Sequence, residues 1–451
     1  MSKDLVLKYN IPAPRYTSYP TVPYWDDNVN QESWTKHIKD AFIKYNKDGI
    51  SLYIHLPYCE SLCTYCACNT RITVNHNVEK PYIETLLKEW NLYLDQFEFR
   101  PKIKEIHLGG GTPTFFSAEN LKYLIETILD TCDLHKEHDL SFEGHPSNTT
   151  ALHLQTLYDL GFRRVSFGVQ DFDEKVQSTI NRYQTFEEVS KVVNASRAIG
   201  YTSVNIDLVY GLPYQTVASV NETVKKIIEL KPERIAFYSY AHVPWLKPGQ
   251  RKYTEKELPI DSEKRELYNT GKNLFTEASY VDIGMDHFSL EGDDLLKAYN
   301  NGTLHRNFMG YTTNNTKLLI GLGCSSISDS WDAFSQNIKT VEGYIQAVDA
   351  GKFPLHKGHL LTSEDLNIRK HILNLMCKHE IDLSGSISDQ KLFNENLSRL
   401  TEFVNDGLIN ISGNKVTLTD TGKLFIRNIC LAFDKRYWSK AKKENVFSTT
   451  A

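Results

Sequence analysis

Hydrophobic positions follow two alternating periods along the chain up to about residue 250. Short apolar runs predict buried strands, and the segments between them carry apolar residues at helical spacing. The predicted strands are Ile50–Leu56, Ile103–Leu108, Leu140–Glu143, Arg164–Val169, Val204–Val209 and Arg234–Tyr240. The predicted helices between them are Glu79–Phe97, Ala118–Thr131, Ala151–Leu160, Phe186–Ile199 and Val217–Leu230.

This alternation of strand and helix predicts a parallel sheet covered by helices, because right-handed crossovers must join successive strands. Each predicted strand ends in glycine or polar residues. The expected fold class is therefore α/β, a partial (β/α)6 TIM-like barrel with its active site at the carboxyl ends of the strands. An open, doubly wound sheet is an alternative that the hydrophobic period does not exclude.

The regions on either side of this repeat have other patterns. Residues 1–48 are expected to form an N-terminal arm and a helix, because four prolines interrupt the first half of this region. After the repeat, Ser262–Ala278 predicts a helix. The apolar, glycine-rich segment Leu318–Ile327 is expected to close the core. The catalytic domain is expected over residues 49–350.

Residues 351–451 are expected to form a mainly helical C-terminal domain. Two long helices and a final shorter one surround a small hairpin whose turn contains Gly413. This arrangement resembles a winged-helix module. The predicted helices are Leu366–Lys378, Asp389–Val404 and Thr421–Phe433, and the predicted hairpin strands are Gly407–Ile411 and Lys415–Leu418.

Composition narrows the class of protein. The 451 residues are 41% hydrophobic and 24% charged, as in ordinary globular proteins. The net charge of −5 argues against a chain-wide nucleic-acid footprint. The segment Met1–Leu5 lacks an apolar signal region and no run approaches membrane-spanning length, so we expect a cytoplasmic protein without membrane insertion. Eight cysteines in such a chain indicate metal or redox chemistry, not a disulfide framework.

Half of those cysteines follow the first predicted strand within ten positions. Cys59, Cys63 and Cys66 have the spacing Cys-x3-Cys-x2-Cys, and Cys68 follows. Three thiolates on a short loop can hold three corners of a cubane iron–sulfur cluster and leave one iron open. An open iron offers a place to bind and reduce another molecule.

Two other interpretations of these cysteines remain. Structural zinc would need a fourth ligand, for which Cys68 or His55 are candidates, but no second cysteine pair of the usual spacing is present. The three cysteines also fall on one face of a hypothetical helix and would then be core residues. Pro57 and the preceding strand favour a loop.

The cysteine loop, with Tyr65 before its third cysteine, is similar to that of the radical S-adenosylmethionine (SAM) enzymes. The resemblance implies a [4Fe–4S] cluster whose open iron binds the amino and carboxylate groups of SAM. An electron from the cluster then cleaves SAM and releases a 5′-deoxyadenosyl radical. Within this superfamily, runs spread over nearly the whole chain resemble oxygen-independent coproporphyrinogen III oxidases. These runs are Pro14–Pro20, Cys66–Asn69, Gly109–Pro113, Gly168–Phe172, Asn205–Pro213, His305–Phe308, Gly310–Thr313 and Arg427–Cys430.

The resemblance implies a role for each matching residue. Cys59, Cys63 and Cys66 would ligate the cluster, whereas Cys68 would lie near it and assist catalysis. Gly110, Gly111 and Thr112 would cradle the methionine moiety of SAM, although three glycines alone are more typical of a flexible turn. This family binds two SAM molecules. The implied residues are Tyr53, Tyr65, Gly110 and Glu143 near the first, and Gln170, Arg182, Asp207, Ala241 and Ile327 at the second.

Some of these residues also have interpretations that involve no ligand. Asp207 lies inside an apolar strand, where a carboxylate is costly unless it is paired, so a polar ligand and a structural salt bridge are both possible partners. Arg182 alone would be taken as a surface charge, and Glu143 as a solvated carboxylate.

The implied reaction is oxidative decarboxylation of two propionates of coproporphyrinogen III to vinyl groups, giving protoporphyrinogen IX in haem biosynthesis. It requires an electron donor and an acceptor that the sequence does not identify. Arg15 and Arg306 are candidate contacts for the substrate carboxylates, and the alternative for each is a solvent-facing charge. Two positions depart from the family: His145 replaces a common acidic residue, and Ala67 replaces a common glycine.

Three rival functions remain open at this stage. One is a radical SAM enzyme that degrades haem, and another is a haem-trafficking relative, which typically lacks a cysteine at the position of Cys68. The third is an iron–sulfur sensor that binds DNA through the C-terminal domain, but Asp389–Ala432 carries no basic stripe. We expect a monomer that does not bind nucleic acid.

Overall fold

The computed structural model describes residues 3–385, 387–440 and 447. The strands are β1 (Ile50–Leu56), β2 (Tyr58–Cys59), β3 (Arg71–Ile72), β4 (Lys102–Gly110), β5 (Asp133–Gly144), β6 (Arg164–Gln170), β7 (Ser203–Tyr210), β8 (Arg234–Ser239), β9 (Val281–Gly284), β10 (His287–Ser289), β11 (His305–Asn307), β12 (Gly310–Thr312), β13 (Leu319–Leu322), β14 (Ile327–Asp329), β15 (Ala333–Asn337), β16 (Leu355–Leu360), β17 (Glu380–Asp382), β18 (Ile409–Ser412) and β19 (Lys415–Leu418). The helices are α1 (Lys3–Tyr9), α2 (Gln31–Tyr45), α3 (Glu79–Leu94), α4 (Ala118–Leu129), α5 (Ala151–Asp159), α6 (Glu174–Ile180), α7 (Phe186–Ile199), α8 (Val217–Leu230), α9 (Asp261–Glu277), α10 (Asp294–Asn300), α11 (Val341–Asp349), α12 (Ser363–Lys378), α13 (Ile387–Asn405), α14 (Asp420–Lys423), α15 (Ile426–Leu431) and α16 (Lys435–Lys440).

The main sheet of the described chain has twelve strands in the order β16-β15-β14-β13-β1-β4-β5-β6-β7-β8-β10-β9. Its centre, from β1 to β8, is parallel and follows the order of the chain. A doubly wound sheet would reverse its strand order partway along. The order therefore confirms the partial (β/α)6 barrel. β13 pairs in parallel with β1, which confirms that the apolar segment after residue 318 closes the core.

Strand and helix boundaries agree best where one face is continuously apolar. β1, α7 and α8 have the predicted bounds. β5 begins at Asp133, whereas its predicted start was Leu140. The prediction missed the first half of this strand because that half is mostly exposed and carries no apolar run. The prediction also missed α6, a two-turn helix capped by the side chain of Asp173. The crossover from β6 to β7 thus contains two helices.

The C-terminal part is mainly helical, as predicted, and holds a three-stranded antiparallel sheet in the order β17-β19-β18. The prediction of one continuous final helix over Thr421–Phe433 is wrong, because two short helices, α14 and α15, occupy this segment. The amides of Leu424 and Phe425 donate to carbonyls three residues earlier, which tightens the turn and separates α14 from α15.

The N-terminal region is divided between two cores. Trp34 and Phe42 of α2 pack with the barrel strands. Tyr16 and Tyr19 of the preceding arm pack instead with the core of the C-terminal part, and Asn428 Nδ2 donates to the carbonyl of Tyr9 at 2.8 Å. The arm thus lies on the body of the protein. The domain boundaries 1–48, 49–350 and 351–451 stay predictions.

Helix length and polarity also bear on membrane insertion. Among the described residues, no helix combines the length and apolar character that crossing a membrane would need.

Candidate active site

The cysteine loop leaves β1 at Pro57 and is fastened on three sides. The amide of Thr64 donates to the carbonyl of Ile180 at 2.9 Å, at the end of α6. Gln250 Nε2 donates to the carbonyl of Tyr65 at 3.1 Å. The imidazole of His55 contacts the carbonyl of Asn69 at 2.9 Å. The segment contains no helix, so the interpretation of these cysteines as one face of a helix is wrong.

A cavity of about 490 Å³ opens beside this loop at the carboxyl ends of the barrel strands. It brings together most of the residues that the sequence suggested, although they lie up to 148 positions apart (Cys59 to Asp207). The predicted residues that line the cavity are Cys59, Cys63, Tyr65, Cys66, Cys68, Gly110, Gly111, Thr112, Glu143, Gln170, Arg182 and Asp207.

Hydrogen-bond donors face the thiols. Thr112 Oγ1 lies 3.3 Å from Cys59 Sγ, and Arg182 Nη1 lies 3.6 Å from Cys63 Sγ. The neighbouring Cys68 lowers the pKa of the Cys66 thiol. Donors of this kind stabilise thiolate sulfur, which is the form that binds iron.

The thiols suit a cluster better than a single ion. Among the described residues, no three His, Cys, Asp or Glu side chains converge on one metal position. In a cubane cluster each cysteine instead binds a different iron, so the sulfur atoms need not converge. Burial raises the pKa of the Cys59 thiol to about 11, and coordination to iron would remove that proton. The three cysteines therefore fit a [4Fe–4S] cluster.

The glycines at the end of β4 have a structural reason of their own. A Cβ at Gly111 would lie 2.5 Å from the carbonyl oxygen of Pro57, and one at Gly110, where φ is +117°, would lie 2.7 Å from the ring of His55. The amide of Gly111 donates to the carbonyl of Leu56 at 2.8 Å. The run is thus a close backbone contact that holds β4 against the cysteine loop, not a flexible turn.

Glu143 presents an ionised carboxylate to the cavity. Burial alone would raise its pKa, but the hydrogen bond and charge of His107 and the amide of Gly110 lower it overall. His107 Nε2 and the Gly110 nitrogen each lie 3.3 Å from a Glu143 oxygen. A fixed carboxylate in this place suits the amino group or a hydroxyl of a ligand.

Asp207 lies across the cavity on β7. Its oxygens accept hydrogen bonds from Asn205 Nδ2 at 2.8 Å and Ser166 Oγ at 3.1 Å. Burial, and after it the charge of Glu143, raises the pKa of Asp207 to about 6. In the described part of the chain Asp207 forms no ion pair, so the alternative of a structural salt bridge is wrong.

Arg182 is buried and faces the cavity, so the alternative of a surface charge is also wrong. Its guanidinium donates to the Gly168 carbonyl at the end of β6, and Nε has no partner in the described structure. Gln170 ends the same strand with φ at +73°, a conformation that costs energy in a residue with a side chain. The two residues enclose one wall of the site.

Three predicted residues do not line this cavity. The hydroxyl of Tyr53 lies 3.0 Å from His55 Nδ1, and its ring packs edge-on against Phe308 at 4.9 Å. Ala241 borders a neighbouring cavity of about 450 Å³. Ile327 begins β14, where its backbone packs against Gly321. Their roles stay predictions.

The two candidate substrate arginines also lie outside the lining of this cavity. Arg15 lines a separate cavity of about 280 Å³ and approaches Tyr238, whose ring borders the cysteine-loop cavity. The Arg15 guanidinium carbon is 5.9 Å from the centre of that ring, and Nη2 forms an ion pair with Asp286 at 2.5 Å. Arg306 is buried, with Nη2 directed at the Arg15 carbonyl at 3.4 Å. Its Nε and Nη1 have no hydrogen-bond partner in the described structure. Arg306 is therefore not a solvent-facing charge.

The two departures from the family also face the cavity. Burial, helped by the charge of Arg182, lowers the pKa of His145 to about 3, so the imidazole is neutral at physiological pH. Ala67 is exposed.

Sequence reasoning missed two residues that position the cysteine loop. Gln250 is fully buried, and its amide donates to both Tyr65 and Ala241 carbonyls, which ties the loop to the end of β8. Lys247 Nζ donates to the Cys68 carbonyl at 3.0 Å. Neither residue lies in a chemical motif, so no local signal marks them.

Comparison with known proteins identifies the family. The model of the radical SAM superfamily matches residues 53–227. Oxygen-independent coproporphyrinogen III oxidase of Synechocystis is 36% identical over 98% of this chain and 97% of the relative. The protein of that name in Helicobacter pylori is 37% identical over 95% of each chain.

Among solved structures, the coproporphyrinogen III oxidase of Escherichia coli, described as a radical SAM enzyme, superposes with a TM-score of 0.89. The two chains are 33% identical, and the superposition covers 96% of this chain and 99% of the Escherichia coli chain. Similarity of this extent, together with the cysteine loop and the barrel, leads to one assignment. The chain belongs to the oxygen-independent coproporphyrinogen III oxidase family of radical SAM enzymes.

Proposed function

We propose that the protein catalyses the oxygen-independent oxidative decarboxylation of two propionates of coproporphyrinogen III, which yields protoporphyrinogen IX. The observation that carries this function is Cys68. Cys68 lines the same cavity as Cys66, Glu143 and Asp207. The haem-trafficking relatives typically lack this cysteine, and relatives matched over nearly the full length bear the oxidase name.

The cluster and SAM, when bound, supply a 5′-deoxyadenosyl radical that removes a hydrogen atom from the substrate. The protein's part is to hold the cluster on Cys59, Cys63 and Cys66 and to keep the Cys68 thiol beside the reacting centre. The reaction also requires that water and oxygen be kept from the radical. Each turnover releases carbon dioxide and requires an external electron acceptor.

The substrate is a tetracarboxylate, so it needs cations near the reacting centre. Arg306 supports this assignment because a buried guanidinium with unpartnered nitrogens is costly unless a ligand completes it. Arg15 lies beside Arg306, because the carbonyl of Arg15 accepts a hydrogen bond from the Arg306 guanidinium and the Arg15 side chain forms an ion pair with Asp286. We propose that these two arginines contact substrate carboxylates. A cytoplasmic, monomeric enzyme is part of the same proposal.

The experiment is an anaerobic assay of cluster-loaded protein with SAM, a reductant and coproporphyrinogen III. Protoporphyrinogen IX and 5′-deoxyadenosine should form together, with two SAM consumed for each product because two propionates react. Cleavage of SAM without decarboxylation would contradict the proposal and favour a haem-directed relative.

We also propose that two SAM molecules bind, the second against Asp207, Gln170 and Arg182. Asp207→Asn is expected to lower the SAM bound per cluster-loaded chain from about two to about one, since the carboxylate acceptor is lost. In the wild type the second SAM should bind more weakly as pH falls through about 6, because Asp207 becomes protonated there. Equilibrium dialysis measures both effects.

The matched control for this variant is Asp349→Asn, which removes an exposed carboxylate from an ion pair with Lys88. It should bind SAM as the wild type does. If Asp207→Asn also binds two SAM molecules with unchanged affinity at every pH, Asp207 does not belong to the second site.

A further inference from the structure

A loop after β8 exposes two large apolar side chains beside the cysteine loop. We call residues 243–252 the tryptophan loop. Trp245 and Leu246 in this loop are 58% and 60% exposed. Adjacent large apolar side chains that stay exposed mark interaction sites more often than scattered single ones do.

The tryptophan loop is fastened directly to the cysteine loop. Lys247 donates to the carbonyl of Cys68, and Gln250 donates to that of Tyr65. A Cβ at Gly249 would lie 3.3 Å from a methyl carbon of Leu62, and Leu62 is itself 42% exposed. A molecule that covers Trp245, Leu246 and Leu62 would therefore lie against the backbone that carries the three cysteine ligands.

The charge of this loop differs from that of the whole chain. It contains Lys247, Arg251 and Lys252 and no carboxylate, whereas the protein has a net charge of −5. Three cations within ten residues attract an acidic partner and accelerate its docking, although Glu255 and Asp261 border the same cavity as Trp245.

We propose that the tryptophan loop, with Leu62, is the docking surface for an acidic protein that carries single electrons. The proposal rests on the proposed function, which needs one electron at the cluster for each SAM cleaved. In the docked complex the carrier is oxidised by one electron and the cluster is reduced by one. Transient redox complexes bury small interfaces, so a few apolar side chains on a loop with three cations suffice.

The test compares two reductants in the formation of 5′-deoxyadenosine by cluster-loaded protein. Reduced flavodoxin serves as the acidic carrier, and dithionite is a small anion that needs no protein interface. Trp245→Ala/Lys252→Glu should lower the rate with subsaturating flavodoxin by at least about tenfold and leave the dithionite rate within about twofold. High salt should slow the flavodoxin reaction of the wild type more than that of the variant.

The matched control is Ile387→Ala/Lys391→Glu on α13, where Ile387 is 91% exposed and the Lys391 side chain 73%. It should behave as the wild type with both reductants. An unchanged flavodoxin rate in the loop variant would overturn the proposal, and so would an equal loss with both reductants.

Two further results keep the test decisive. If the double variant does not load its cluster, Leu246→Ser is measured in the same way, and a wild-type flavodoxin rate there overturns the proposal. Failure of the proposed function has a separate signature. In that case wild-type protein with dithionite forms 5′-deoxyadenosine but no protoporphyrinogen IX.

Discussion

Cys63→Ala is expected to abolish cluster binding and, with it, the formation of both 5′-deoxyadenosine and protoporphyrinogen IX. Cys63 is the middle one of the three proposed cluster ligands, and its sulfur accepts a hydrogen bond from the buried Arg182. Without that sulfur the Arg182 guanidinium keeps only its hydrogen bond to the Gly168 carbonyl, and a two-cysteine site remains. Iron content should fall from about four per chain toward zero, and activity below about one hundredth of the wild type.

Two matched variants separate ligation from other effects of losing a thiol. Cys132→Ala removes a buried thiol between α4 and β5, away from the cavity, and should keep full iron content and activity. Cys68→Ala should keep the cluster and still cleave SAM, but form little protoporphyrinogen IX. Full iron content in Cys63→Ala, measured by chemical analysis and visible absorbance, would refute its assignment as a ligand.

The local hydrophobic period was sufficient to predict most of the fold. β1, α7 and α8 have one continuously apolar face, so the hydrophobic period alone locates both ends of each element. The first half of β5 has no such face, because its residues are held by pairing with β4 while their side chains meet solvent. The interrupted helix near residue 424 depends on a tight turn that local propensity does not encode.

The candidate site was predictable where a motif is local and not where it depends on contacts between distant segments. The cysteine spacing is visible in the sequence, and the family resemblance extends it to Glu143, Arg182 and Asp207. The hydrogen bond from Gln250 to Tyr65 joins residues 185 positions apart, so no window of sequence contains it. The sequence equally hides why Glu143 is ionised, since His107 lies on the neighbouring strand and meets it only in the folded sheet.

The glycine run also has a role that the sequence suggested and another that only the structure shows. Its place after a strand suggested a cradle for SAM, whereas the structure shows that the backbone of β4 meets the cysteine loop there. Gly111 contributes its amide to the carbonyl of Leu56, and Thr112 next to it contacts both the Tyr58 carbonyl and the Cys59 thiol. Because Gly111 has no side chain, the end of β4 can approach the cysteine loop closely enough for Thr112 to contact Cys59.

Gly111→Ala is therefore expected to damage the cluster site without changing any polar group. The added methyl would lie 2.5 Å from the Pro57 carbonyl oxygen and 2.6 Å from its carbon. Both atoms are backbone, so β4 and the cysteine loop must separate. We expect a loss of about 1–3 kcal/mol in the free energy of unfolding and at least about a tenfold loss of SAM cleavage, because Thr112 moves away from Cys59.

Gly385→Ala is the matched control, since its Cβ would meet only Asp389 Oδ2 at an ordinary 3.6 Å. Denaturant unfolding and cluster content should match the wild type there. In Gly111→Ala the cluster content should fall with stability, whereas Thr112→Val should lower cluster content alone, because it removes the hydroxyl and keeps the backbone. If Gly111→Ala is as stable and active as the wild type, the close contact between β4 and Pro57 does not position the cysteine loop.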